Sequence, residues 1–222
     1  MKIKKAVITA AGLHQQHLPL QTLVSTSGRT KTVAAFLLDE IFASGIDSAA
    51  IIIAPGTEGD FTSAIADHLD QVTFIEQSEP LGYGHAVLCA QEFTGDDPFL
   101  LMMSDHLYLS LSEKSCLNQL LTVAEQADGP VSAVQPTHES KLPFYGTVGG
   151  SPVGGMQGLY EVSTILEKPT PTVAEQELIV PGLRSGNYLC FFGMHVLTPE
   201  VMTHLAEAEA SSENENGKLP LT

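Results

Sequence analysis

The chain has 222 residues, 43% of them hydrophobic, which suffices for one large α/β domain with a buried core and argues against wholesale disorder. Its 26 acidic and 10 basic residues give a formal charge of −16, a balance that repels nucleic acid and anionic membranes and excludes both as expected partners. No apolar run reaches the roughly 18–20 residues that span a bilayer. The 3 cysteines (Cys89, Cys116, Cys190) form no CxxC and no even set, so buried thiols in a cytoplasmic protein are expected.

Lys5 to Ala11 (KAVITAA) is a short apolar run closed by Gly12, and it reads as a first strand rather than a signal peptide. Leu13 to Thr32 is polar with scattered Gly and Pro and reads as a loop. Val33 to Ser44 has apolar residues at helical spacing, with Gly45 as its stop. Ala49 to Ala54 is a second buried strand, Asp60 to Leu69 a weak helix, and Val72 to Ile75 a short strand. Gly84 to Phe93 reads as a helix entered through Gly82 and Gly84. Pro98 to Met103 is a strand that ends at Ser104-Asp105. Ser115 to Ala127 is a helix and Val131 to Gln135 a strand. Beyond Pro136 glycines crowd the chain and hairpins are expected. Ser185 to Leu197 returns to a strand, and Thr198-Pro199 opens a last helix with Thr198 as its N-cap. Alternating strands and helices predict an α/β, Rossmann-like three-layer fold with a mostly parallel central sheet and a small antiparallel sub-sheet. We expect one domain over 1–222, with a nucleotide-binding half at 1–135 and a sugar-binding half at 136–222.

Ligands of an open parallel sheet bind beyond the carboxyl ends of its strands. With only two arginines, Arg29 and Arg184, a phosphate ligand must rely on lysines, backbone N–H groups, helix N-termini and a metal ion. Asp105 ends a central strand, where a carboxylate suits either Mg²⁺ or an ordinary turn. Gln77 to Val87 is a turn-rich loop running into a helix, whose glycines permit close backbone approach. Its spacing is not G-x-G-x-x-G, so the dinucleotide fingerprint is absent. Glu167-Lys168-Pro169 closes a strand-like run and reads either as a solvated turn or as a grip on a sugar hydroxyl and a phosphate. His14 and His17 have no neighbours that complete a metal site.

In order along the chain, KKAVITAAGL (Lys4 to Leu13), LLDEIFASGID (Leu37 to Asp47), QSEPLGYGHAVLCA (Gln77 to Ala90), Asp105, Tyr145-Gly146, EKP (Glu167 to Pro169) and GNYLCFFGMHVLTPEV (Gly186 to Val201) resemble the sugar-1-phosphate nucleotidyltransferases. The bacterial UTP–glucose-1-phosphate uridylyltransferases are the most similar branch. The resemblance implies a nucleotide-diphospho-sugar transferase fold. It also implies a reaction in which UTP and a sugar 1-phosphate give a nucleotide sugar such as UDP-glucose, and pyrophosphate. By position it implies that Ala11, Gly12, Leu13, Gln77 and Gly82 bind the nucleotide. Asp105 would hold Mg²⁺, Lys168 the sugar phosphate, and Gly146, Glu167 and Asn187 the sugar. Homo-oligomers are common in the family. Two departures stand out. Where the family carries G-x-G-T-R, this chain has Gly12-Leu13-His14-Gln15-Gln16, and the later P-K pair is replaced within Leu23 to Ser27. The lost charges leave open an alternative, a catalytically impaired relative that binds nucleotide sugar as a regulatory or partner subunit.

Overall fold

In the strand Lys5–Thr9 (β1) the consecutive residues Ala6, Val7 and Ile8 are all buried, so both faces are covered and alternation is lost. The strands Ser48–Ile53 (β4) and Phe99–Met103 (β6) show the same continuous burial, and both pair with β1 in parallel. Val72–Glu76 (β5) extends the parallel set beyond β4. The computed structural model describes residues 1–12, 17–25, 27–127, 129–156, 158–211 and 218–221. No helix among them is long and apolar enough to cross a membrane.

The described residues group into two compact units, Met1–Val131 with Gly193–Leu221, and Ser132–Phe192. Residues 193–221 group with the first unit although they follow the second in the chain. The long strand Asn187–Leu197 (β10) carries the chain between them. Its residues Met194 to Leu197 run antiparallel to β6 inside the first unit. Within the second unit, Gly146–Pro152 (β8) and Tyr160–Glu167 (β9) form an antiparallel pair with an irregularity at Gly149/Gly150, and Leu189 and Cys190 of β10 pair with β8. Val131–His138 (β7) opens that unit.

The helix Val33–Ala43 (α1) starts where expected because Thr32 caps it, its hydroxyl accepting from the Ala35 N–H at 3.1 Å. Four elements differ from the sequence reading. The stretch read as a loop contains a hairpin, Thr22–Val24 (β2) with Thr30–Thr32 (β3). The weak helix at 60–69 is Glu58–Ala64 (α2) followed by a 3₁₀ turn, Ala66–Gln71. The helix at 84–93 is two pieces, Tyr83–Leu88 (α3) and Gln91–Thr94 (α4). A short helix at Pro171–Glu177 (α6) lies in the segment read only as hairpins; Thr170 caps it and Pro171 fills its first position. The helix Cys116–Ala124 (α5) follows its cap Ser115. Thr198 does precede the last helix, Pro199–Ala210 (α7), but its side chain makes no capping bond to that helix's backbone. It bonds instead to the Glu200 carboxylate, which contributes most to lowering the pKa of that exposed group.

Among the titratable groups that β10 buries is a histidine. His195 is 8% exposed, and burial lowers its pKa from 6.5 to about 4. The unfolded chain takes up that proton below its ordinary value, while the folded chain resists until about pH 4. Stability from neutral His195 is therefore complete above pH 6.5 and is lost as pH falls toward 4. Between pH 7.5 and 5 this group alone lowers the unfolding free energy by about 2 kcal/mol. Urea unfolding at the two pH values, compared with His195→Gln, measures it; an equal acid loss in both proteins would refute the assignment.

Candidate functional site

Asp105 follows β6 at the carboxyl edge of the parallel strands, and the Ser104 N–H bonds to the Thr9 carbonyl at the end of β1. The same backbone that ends β1 thus fixes the start of the Asp105 turn. The Asp105 side chain is only 7% exposed, and its Oδ1 accepts a hydrogen bond from His106 Nδ1 at 2.7 Å. That bond raises the His106 pKa, burial opposes it, and the Asp105 charge adds to the rise. The His106 ring stacks on Tyr108 at 6.2 Å between centroids, and the Tyr108 hydroxyl donates to the Gly193 carbonyl at 2.8 Å.

Tyr83 lies between the two glycines of the Gln77 loop, and the Asp105 charge acts on its hydroxyl. Its hydroxyl is buried and has no hydrogen-bond partner of acceptable geometry. Burial drives its pKa far up, a hydrogen bond of poorer geometry with the Thr9 side chain opposes that rise, and the Asp105 charge adds a smaller push upward. Neither Tyr83 nor its neighbour Tyr108 was singled out from sequence. The only signal was a phenol set between Gly82 and Gly84.

Gln77 is 7% exposed, and its amide nitrogen is committed to the protein. It donates to the Gly82 carbonyl at 3.1 Å and to His85 Nδ1 at 2.9 Å. Because the Gly82 oxygen can only accept, the amide orientation is fixed. No described hydrogen bond uses the Gln77 amide oxygen. Ala11 is buried and Gly12 exposed just past β1, while Leu13 lies outside the described residues.

In the second unit, Gly146 and Glu167 are register partners on β8 and β9. A Cβ on Gly146 would sit 2.9 Å from Glu167 Oε2 and 3.0 Å from Phe191, so only glycine leaves that space to the carboxylate. Lys168 has φ of +48°, the single non-glycine residue with positive φ among the described residues. Its Nζ lies 3.4 Å from Glu167 Oε1, and its N–H bonds to the Tyr145 carbonyl. A strained backbone held by its surroundings is a mark of functional positions. Asn187 is not gathered with them. Its amide donates to the Ser185 carbonyl at 3.3 Å, four strand positions from Phe191, or about 13 Å at the usual rise.

A divalent cation that arrives on a triphosphate needs one or two protein carboxylates, not a full cage. Asp105 offers one nearly buried carboxylate, which suits such a cation. No group of three or more metal-binding side chains occurs among the described residues.

A mostly parallel sheet with a polar cluster beyond its strand ends defines a nucleotide-handling α/β protein. The profile of the family described as Nucleotidyl transferase matches residues 17–219, and the chain belongs to that family. It is 32% identical over 213 residues to the UTP–glucose-1-phosphate uridylyltransferase YngB of Bacillus subtilis, covering 82% of this chain and 68% of that protein. To a UTP–glucose-1-phosphate uridylyltransferase of Streptococcus pneumoniae it is 29% identical, covering 96% of this chain and 77% of the other. Its fold matches a crystal structure of UDP-glucose pyrophosphorylase complexed with UDP-glucose, with a TM-score of 0.76 and 21% identity over 100% of this chain and 84% of that one.

Proposed function

We propose that the protein is a uridylyltransferase that forms UDP-glucose and pyrophosphate from UTP and glucose 1-phosphate. An oxygen of the sugar phosphate attacks the α-phosphorus of UTP. One P–O bond forms, the α–β bridging P–O bond breaks, and pyrophosphate leaves with that electron pair. The observation that carries the reading is the locked Gln77. With its nitrogen held by Gly82 and His85, it offers a ligand only its amide oxygen, an acceptor. The ring N–H of uracil or thymine meets that acceptor, while the corresponding ring nitrogen of cytosine is itself an acceptor. The uridylyltransferase relatives support the same choice.

Ala11, Gly12, Leu13 and Gly82 approach the nucleotide through the backbone in this reading. Asp105 would hold Mg²⁺, and the cation would supply charge neutralisation for the triphosphate. Lys168 brings its ammonium to the sugar phosphate, and Gly146 and Glu167 take sugar hydroxyls; Asn187, which is not gathered with them, has no role in this reading. Lys168→Met is expected to raise the KM for glucose 1-phosphate by about 10- to 100-fold with UTP affinity unchanged, the worth of one charge-assisted hydrogen bond. An unchanged KM would remove Lys168 from the site.

One observation favours the impaired alternative. Lys31, a basic residue of the polar stretch that lacks the family's signature charges, is bound at 2.9 and 2.7 Å to both oxygens of Asp39, which also meets His68 at 2.9 Å. Burial draws the Asp39 pKa upward, but these two partners outweigh it and leave the carboxyl below its ordinary value. Lys31 is thus held in a structural pair. Pyrophosphate release with Mg²⁺, glucose 1-phosphate and each of UTP, dTTP, CTP, ATP and GTP decides between the readings. Turnover with UTP supports the enzyme, and turnover only with a purine nucleotide would overturn the base assignment. UDP-glucose binding without turnover would support the binding subunit.

A further inference from the structure

The Tyr83 hydroxyl is an exception to the rule that buried polar groups are paired. Desolvating a hydroxyl without a partner is unfavourable, so a leucine or phenylalanine would serve a merely structural role better. Neighbouring groups in the first unit are already matched: Asp105 Oδ1 accepts from His106, and the Tyr108 hydroxyl donates to the Gly193 carbonyl. Tyr83 alone among these makes no hydrogen bond of acceptable geometry, and both the Thr9 side chain and the Asp105 charge act on it. A neutral phenol can accept from a cation-bound water, whose protons are made more acidic by the metal. Groups that orient ligands around a metal without touching it can change affinity by about 10- to 100-fold.

We propose that Tyr83 is a positioning residue for the cation that accompanies the triphosphate, its buried hydroxyl orienting a water ligand of that cation beside Asp105. This rests on the reading of Asp105 as the carboxylate that meets the cation. It adds a group from the nucleotide loop itself, so that loop and metal are sensed together.

The test is calorimetric titration of UTP into the unaltered protein, Tyr83→Phe and Asp105→Asn, each with Mg²⁺ and with EDTA, beside thermal melts in EDTA. The quantity read is the ratio of UTP affinities with and without Mg²⁺, which a structural role would not move. Tyr83→Phe is expected to reduce that ratio by roughly tenfold. Its affinity in EDTA should be unchanged and its metal-free melting temperature no lower, because the lost hydroxyl makes no hydrogen bond of acceptable geometry. An unchanged ratio in Tyr83→Phe, with a reduced one in Asp105→Asn, overturns the role of Tyr83 alone. A lower metal-free melting temperature, or failure to fold, also overturns it, since the hydroxyl would then have a structural partner. A full ratio in Asp105→Asn overturns the Asp105 reading and the proposal with it.

Discussion

Asp105→Asn is expected to lower pyrophosphate release from UTP and glucose 1-phosphate by about 100- to 1000-fold, the usual cost of losing one positioned charge from a phosphoryl-transfer site. The change keeps the shape of the side chain and the acceptor for His106 Nδ1, so the fold should survive. It removes the charge that would hold the cation. A second readout separates charge loss from misfolding. The hydrogen bond from Asp105 is the main cause of the raised His106 pKa and burial opposes it, so neutralising Asp105 should lower the His106 pKa in an NMR titration. Activity within tenfold of the unaltered protein, with His106 shifted down, would mean that Asp105 serves only to anchor His106.

The parallel half of the fold was legible because it rests on strong local signals. Continuous apolar runs such as Ala49 to Ile53 cannot be half-exposed, and Val33 to Ser44 carries apolar residues at helical spacing with Gly45 as its stop. The β2–β3 hairpin was missed because its strands are three residues each and Thr22, Leu23 and Val24 are all exposed, leaving no apolar alternation to read. α6 was missed because Ala174 is its one buried residue. At the site, Asp105 was legible because a polar residue after five apolar ones breaks a strand. The Tyr83 hydroxyl was not, since its neighbourhood with Asp105 spans 22 sequence positions and depends on tertiary packing. Gln77 was singled out for the nucleotide, but only the structure shows which end of its amide is free to act.

The sequence also offered Gly82 and Gly84 as room for a ligand, and part of that room is filled by the chain itself. The Leu219 N–H bonds to the Leu81 carbonyl at 2.7 Å, and the Leu219 carbonyl accepts from the Gly84 N–H at 3.0 Å. The Leu219 side chain is 2% exposed, in a cluster with Val7, Val87, Met202 and Leu205. A Cβ on Gly82 would meet the Leu219 oxygen at 2.7 Å; one on Gly84 would strike the Pro220 carbonyl and reach Leu205 Cδ2 at 3.0 Å. Two effects therefore compete in Gly84→Ala. Alanine favours the α3 helix by about 1 kcal/mol. Against that, it expels a segment whose buried leucine contributes about 1.5–3 kcal/mol and whose two backbone bonds contribute about 1 kcal/mol each. The second effect is larger, so Gly84→Ala is expected to destabilise the protein by about 2.5–4 kcal/mol in urea unfolding. The same substitution in a chain stopped after Gly217 has nothing to expel, so it should be neutral or stabilising by up to about 1 kcal/mol. A reversal of sign between the two backgrounds is the signature of the strap. Equal destabilisation in both would mean that Gly84 is needed for α3 itself, and that the segment 218–221 merely rests on the loop.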